Sequence, residues 1–238
     1  MPSAAIIIIG NEILTGKFAD ENAPWLIGRL RTLGVDLGRI VTIPDTIEDI
    51  AREVCTASAR FDHVFTSGGV GPTHDDLTLP GVAAAFGLPL VRHPELEGIL
   101  RNRMGDSCNE AALRMADLPE GAELWWEGQV RWPLVVARNV AIFPGVPALL
   151  RAKFDAVAHR FAGVPVQTAR IVTTATEPAI ADLLTEASRT WDQVAIGSYP
   201  RFETVPRTVI VTMESRDTAA LAACANWLRA RVPEQVGG

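Results

Sequence analysis

The chain has 238 residues, 48% of them hydrophobic, and a formal net charge of −6. That supports one large domain, or a medium and a small one, with a sizeable core, and the negative balance argues against a nucleic-acid partner. No apolar run approaches the ~20 residues of a membrane span. Met1-Pro2-Ser3-Ala4-Ala5-Ile6 lacks the basic n-region of a signal peptide. The cysteines, Cys55, Cys108 and Cys224, are odd in number and widely spaced. Together these features read as a cytoplasmic protein with reduced thiols and no membrane contact.

In chain order, Ala4 to Ile9 is a continuous β-branched run, as expected of a strand buried on both faces of a parallel sheet. It ends at Gly10-Asn11-Glu12. The segment from Gly10 to Lys17 is no Walker loop, because five residues separate its glycines and Phe18 follows the lysine. Asp20 or Asn22 can cap a helix carrying Trp25, Leu26, Leu30 and Leu33, which stops at Gly34. Val35 to Ile43 is the next strand, and Thr46-Ile47-Glu48-Asp49 resembles a capping box before a helix with Ile47, Ile50, Val54 and Ala57 on one face. A strand from Phe61 to Ser67 then runs into Gly68-Gly69-Val70-Gly71-Pro72-Thr73-His74-Asp75-Asp76, and Thr78 is the expected cap of the helix that Gly87 closes.

Residues 93–115 read as one or two polar helices, and Trp125 to Trp132 as a hairpin or short excursion with a glycine tip. Pro133 to Ala137 and Val140 to Phe143 are short strands, followed by Pro144-Gly145-Val146-Pro147 and a helix to about Arg160. Alternating strands and helices predict a three-layer α/β/α domain with a mostly parallel sheet over residues 1–163. Residues 164–238 read strand, helix, strand, strand, helix: a small α+β domain of ferredoxin-like arrangement.

Three loops leave strand ends directly: Gly10-Asn11-Glu12, Gly68 to Asp76, and Pro144 to Pro147. In an open parallel sheet ligands bind at such ends. Glycine lets the backbone approach a ligand closely, and a strand leading into a helix offers free N–H groups to phosphate. The amides of Gly68, Gly69 and Gly71 and the hydroxyls of Ser67 and Thr73 are therefore candidate diphosphate ligands. Asp75 and Asp76, ionised at neutral pH, would repel a bare phosphate, so they make chemical sense with a divalent cation, with Glu12 as a third carboxylate. Each part also has a plain structural reading. The glycines can simply turn, the aspartates can favour a helix N-terminus, Glu12 can be solvated, and Pro144 to Pro147 can start a helix. Trp125, Trp126 and Trp132 can stack on a flat base or pack across strands. No serine sits in a Gly-x-Ser-x-Gly turn.

The assembled motifs resemble a known family. Gly10-Asn11-Glu12-Ile13-Leu14-x-Gly16, Asp20-x-Asn22, Gly68-Gly69-x-Gly71-Pro72-Thr73-x-Asp75-Asp76-x-Thr78 and Phe143-Pro144-Gly145-x-Pro147 match the molybdopterin-binding-like domain that opens competence/damage-inducible protein A. The resemblance is closer still to the corresponding domain of eukaryotic FAD synthases, through Trp132-Pro133-Leu134-Val135, Arg138-Asn139-Val140, Phe143-Pro144-Gly145 and Gly197-Ser198-Tyr199-Pro200. It implies a molybdenum-cofactor-biosynthesis α/β/α fold, self-association, and a nucleotide or pterin phosphate as ligand. It further implies that Asn22 and Asp45 touch ligand, and that magnesium or cobalt, with potassium as a further ion, serves as cofactor.

Two departures limit the carry-over. Arg131 to Val135 stand where the bacterial family has a Gly-Thr-Ala-Pro-Gly-like segment, and the chain stops at Gly238 before any amidase domain of the longer relatives. The leading expectation is a metal-dependent pyrophosphatase acting on FAD or ADP-ribose, with Asp75 and Asp76 as catalytic residues. The alternative is a molybdopterin-binding protein without hydrolase activity, and a third is a regulatory or assembly protein that neither binds nor turns over these ligands.

Overall fold

Ala4 to Ile9 form the heart of β1 (Ser3–Ile9), every one of them buried, in the computed structural model, which describes residues 1–128 and 131–236. Successive side chains point to opposite faces of a strand, and here both faces are covered. Ala5, Ile7 and Ile9 join one apolar core, and Ala4, Ile6 and Ile8 the other. Around β1 follow α1 (Asn11–Leu14), α2 (Asn22–Thr32), β2 (Asp36–Ile43), α3 (Ile47–Arg60) and β3 (His63–Ser67). Next come α4 (Thr78–Phe86), β4 (Leu90–Arg92), α5 (Pro94–Met104), α6 (Glu110–Leu113), β5 (Asp117–Pro119), β6 (Glu123–Trp125), β7 (Leu134–Ala137), β8 (Val140–Phe143) and α7 (Pro147–Val157).

The main sheet has the order β2-β1-β3-β8-β7-β6. The first four strands are parallel, and β7 and β6 add antiparallel at one edge. Helices α3, α4 and α5 cover one face through Ile50, Val54, Val82 and Leu96, and α2 and α7 cover the other through Leu26, Leu30, Leu150 and Phe154. On the second face Phe65 meets Phe161 edge-on at 4.8 Å between ring centroids and Phe154 at 5.8 Å. Each such pair adds about 0.5–1.5 kcal/mol beyond the area it buries.

Local signals explain most boundaries. Thr46 accepts the Asp49 amide at 3.2 Å and starts α3 as the sequence predicts. Asp20 caps α2 from one residue before the N-cap position, accepting the amides of Asn22 at 2.9 Å and Ala23 at 3.1 Å. Thr78, expected to cap α4, is instead its first residue, and its hydroxyl donates to the Gly68 carbonyl at 2.7 Å. Residues 93–115 hold α5, α6 and two single 3-10 turns. The two-stranded β4–β5 ladder flanking them escapes a sequence reading because each strand is three residues long. β6 pairs antiparallel with β7, and Gln129 and Val130, part of the expected hairpin, lie outside the described residues.

Arg138-Asn139 turns β7 into β8, with Arg138 at φ 54°. Asn139 Nδ2 donates to the carbonyls of Ser58 at 3.0 Å and Phe61 at 2.8 Å, tying the end of α3 to the sheet. This part of the family motif is thus architectural.

The chain divides into two compact units, Met1–Gly163 and Val164–Gly238. The second contains β9 (Gln167–Thr173), α8 (Glu177–Thr190), β10 (Ala195–Arg201), β11 (Thr208–Ser215) and α9 (Thr218–Arg229). β11 lies antiparallel between β9 and β10, the split βαβ arrangement of ferredoxin-like folds. Gln235 bridges to Thr173 on the free edge of β9, where a fourth strand would run. Ser198 of the Gly-Ser-Tyr-Pro motif donates to Glu177 at 2.5 Å and pins β10 to the start of α8.

Two helical glycines test the packing. A Cβ on Gly28 in α2 meets nothing within 4 Å, whereas one on Gly81 in α4 comes within 2.4 Å of Ile50 Cγ2. Gly28→Ala should raise stability by about 0.5–1 kcal/mol through helix propensity. Gly81→Ala should lower it by about 1–3 kcal/mol through overpacking of α3 against α4. Urea midpoints of the two variants should move in opposite directions.

Candidate functional site

Strand order 2-1-3 means that the chain leaves β1 toward one side of the sheet and returns to the other, so the crevice beyond β1 and β3 is a topological switch point. The glycine loop starts there. Gly68 has φ 111°, and a Cβ on it would stand 2.0 Å from the Ile9 carbonyl oxygen. Its amide donates to Phe143 O at 3.2 Å. A Cβ on Gly145, at the end of β8, would lie 3.3 Å from Gly68 Cα. The three strand-end loops therefore do meet, and they meet backbone to backbone.

Asn22 fastens this junction. Its Nδ2 donates to Ser67 Oγ at 2.9 Å and to Gly145 O at 2.7 Å. Since Gly145 O can only accept, the amide nitrogen must face it. Asn22 Oδ1 is left buried and without a partner in a residue only 5% exposed. A buried acceptor of this kind costs free energy until a donor reaches it. Asn22 borders a cavity of about 230 Å³ with Glu12, Ile13, Phe18, Asp20, Ser67 and Gly68. Gly145 and Pro147 are also in its wall, and among the described residues no Lys or Arg side chain lines it.

The candidate carboxylates lie on or beside the same loops. Glu12 folds back against Gly10, whose missing side chain leaves it room. Asp45 accepts the Asn11 amide at 2.7 Å. Burial first, and then the charges of Glu12, Asp75 and Asp76, push the Asp45 carboxyl above the usual aspartate range, against the pull of the Asn11 amide. Three acids from the neighbouring loops thus act on Asp45. Asp76 accepts the Thr73 amide at 2.8 Å and the Thr73 hydroxyl, which holds the loop in a tight turn. The Thr73 hydroxyl, Asp75's own backbone amide and His74 keep the exposed Asp75 carboxyl below its usual range.

Among the described residues no group of three or more His, Cys, Asp and Glu side chains stands close enough to hold a metal ion. Glu12, Asp75 and Asp76 share a field and do not form a ready-made cage. His74, 3.8 Å from Asp75, is almost fully exposed. Trp125 packs on Phe161 and lies beneath Arg160, and Trp132 packs against the core.

Gly69, Gly71, Thr73 and Asp76 border a second cavity, of about 70 Å³, with Arg114 and Asp117. Pro72 enters through its carbonyl, which accepts from Arg114 at 3.0 Å. Sequence reasoning passed over Asp20 as more than a cap, Phe18, and Arg114. Asp20 and Phe18 lie beside the motif residues; Arg114 is 42 residues beyond Pro72, and no local pattern marks it.

A family profile described as a probable molybdopterin binding domain matches residues 5–182. The chain belongs to that family. A second profile, the middle domain of FAD synthase, matches residues 165–237. A probable FAD synthase of Caenorhabditis elegans is 31% identical over 257 residues, covering 95% of this chain and 49% of that protein. A CinA-like protein of Anaeromyxobacter sp. (strain K) is 38% identical over 153 residues, covering 61% of this chain and 38% of its own length. This molybdopterin-binding domain and its small partner unit thus span about half of that FAD synthase. The crystal structure of CinA from Thermoplasma acidophilum, described as of unknown function, superimposes with a TM-score of 0.62 at 28% identity, over 68% of this chain and 99% of that one. No helix among the described residues is long and apolar enough to cross a membrane.

Two outcomes follow from the geometry. Gly68→Ala should cost about 2 kcal/mol or more, since it combines a forbidden φ with a backbone clash, and thermal melting should report it. A raised folded-state pKa means that Asp45 binds its proton more tightly in the fold than in the unfolded chain. Its contribution is therefore full below about pH 3.8, the unfolded value, and is lost as pH rises through the folded value. Without divalent cations, Asp45→Asn should remove this decline, so the stability gap between variant and wild type should widen in the variant's favour from pH 4 upward.

Proposed function

We propose that this domain binds an ADP-containing dinucleotide, FAD or ADP-ribose, and hydrolyses its diphosphate with the help of a divalent cation. The observation that carries the reading is the shared field of Glu12, Asp45, Asp75 and Asp76 beside a glycine loop at the switch point. The charges of three acids on a half-buried fourth favour a ligand that brings positive charge with it. The names of the FAD synthase relatives support the choice of a flavin or adenine dinucleotide.

Magnesium is commonly held by one or two carboxylates together with substrate phosphate oxygens, with no all-protein cage. The donor set fits that mode: Asp75 and Asp76 with the diphosphate would complete the sphere, Glu12 adding charge. The cation would supply neutralisation of the phosphate oxygens. The chain's own residues do the rest. The amides of Gly69 and Gly71 and the hydroxyl of Ser67 hold the diphosphate in place, the Gly68 amide being engaged by Phe143 O. Asp76, itself fixed by Thr73, orients the attacking water and accepts its proton. The water oxygen bonds to one phosphorus as the P–O–P link breaks, leaving two monophosphates: AMP with FMN, or AMP with ribose 5-phosphate. Positioning and charge stabilisation account for most of such a reaction.

The second reading, binding of a pterin phosphate without hydrolysis, is favoured by the family description and by the lack of a preformed metal cage among the described residues. Asp76→Asn preserves the bond from the Thr73 amide and removes the base. It should lower phosphomonoester release from FAD or ADP-ribose, assayed with magnesium or cobalt, by about 10²–10³-fold. Turnover at the wild-type rate in this variant would sink the assignment. Wild-type protein that binds molybdopterin without metal and cleaves neither dinucleotide would establish the second reading.

A further inference from the structure

The loop from Val70 to Leu77 is held largely by itself. Thr73 and Asp76 bond to each other, and Thr78 closes the turn on Gly68 and Gly69. Among the described residues, the one hydrogen bond that ties positions 70–77 to a distant part of the fold comes from Arg114, whose Nη2 donates to Pro72 O at 3.0 Å. Its backbone is well anchored for this. Leu113 and Ala116, on either side, are buried at 1% and 0% exposure. Asn109 caps α6 by accepting the Ala112 amide at 3.0 Å, and Ala116 O accepts the His93 amide at 2.8 Å. Asp117, which lines the same cavity as Arg114, is taken by a two-point ion pair with Arg92.

The two cavities flanking the glycine loop differ in charge. The 230 Å³ cavity presents Glu12, Asp20, Glu21 and the orphan Asn22 acceptor and, among the described residues, no basic side chain. The 70 Å³ cavity is lined by Gly69, Gly71, Thr73, Asp76, Asp117 and Arg114. Arg114 is the one basic side chain lining either cavity among the described residues. A guanidinium has five donors in a rigid fork suited to phosphate, and the Pro72 carbonyl engages one of its nitrogens.

We propose that Arg114 is a phosphate-binding and loop-positioning residue. It grips the ligand's phosphate from the 70 Å³ side while holding Pro72, so that phosphate binding and the set of the Asp75–Asp76 turn are coupled. The ligand then lies across the loop, with its hydroxyl- or amine-bearing part toward the acceptor-lined cavity and its phosphate toward Arg114. This rests on the reading that the ligand carries a phosphate, and does not require that it be hydrolysed.

The test compares wild type, Arg114→Gln and Arg114→Lys by calorimetric titration with ADP-ribose, with AMP and with adenosine, in magnesium, alongside melting temperatures. Loss of charge-assisted bonds to a phosphate should weaken ADP-ribose and AMP binding in Arg114→Gln about 10–100-fold. Adenosine affinity and melting temperature should stay near wild type, and Arg114→Lys should recover part of the loss. The salt dependence of ADP-ribose affinity should be shallower in Arg114→Gln. Equal affinity for ADP-ribose in Arg114→Gln and wild type overturns the proposal, and so does a loss that extends equally to adenosine. If wild type binds ADP-ribose without cleaving it and Arg114→Gln does not bind, Arg114's role stands and the hydrolase reading falls. If wild type binds none of the phosphates, both fall.

Discussion

The passage of Gly68 beneath the Ile9 carbonyl governs this molecule. β1 and β3 lie side by side in parallel register, Ile8 opposite Ser67, and both chains must leave the sheet at the same height. A side chain at position 68 would occupy the space of the Ile9 oxygen. Because none is there, the β3 exit can fold directly over the end of β1, and the loop that follows presents its amides at the switch point. Asn22 then bridges Ser67 and Gly145 and brings the end of β8 into the same junction. Both cavities beside the glycine loop, the one bordered by Asn22 and the one lined by Arg114, are built from residues at or next to that crossing.

Electrostatics sets the character of the site. Burial, and after it the charges of Glu12, Asp75 and Asp76, raise the cost of ionising Asp45. Asp75 escapes the same fate by exposure and by its hydrogen bonds. Such an arrangement is poor for stability and useful for gathering cations. Asp76 sits between structure and chemistry, since the bonds from Thr73 that order its turn also fix the direction of its carboxylate.

Not every motif residue belongs to the site. Asn139 joins α3 to the sheet, Ser198 joins β10 to α8, and Thr78 holds Gly68 in place from within α4. In this fold their contacts are architectural, so the motif includes struts as well as residues that line the cavities.

The amino-acid order alone carried the architecture of the first unit, because its signals are local. The β-branched run of β1, the Thr46 cap, the apolar stripe of α3 and the glycine-rich exits each depend on residues within a few positions of one another. It also carried the candidate loops, since strand ends in an α/β chain are functional by topology. What lay beyond it was anything decided by contact across the chain. The β4–β5 ladder forms from two three-residue segments that have no pattern of their own. Thr78 reads as a cap until Gly68 O is found within its reach, and Arg114 reads as an ordinary polar residue until Pro72 is found beside it. Spacing along a chain reports period and turn chemistry; which distant carbonyl or carboxylate a side chain meets is set by packing, and only the folded structure holds that information.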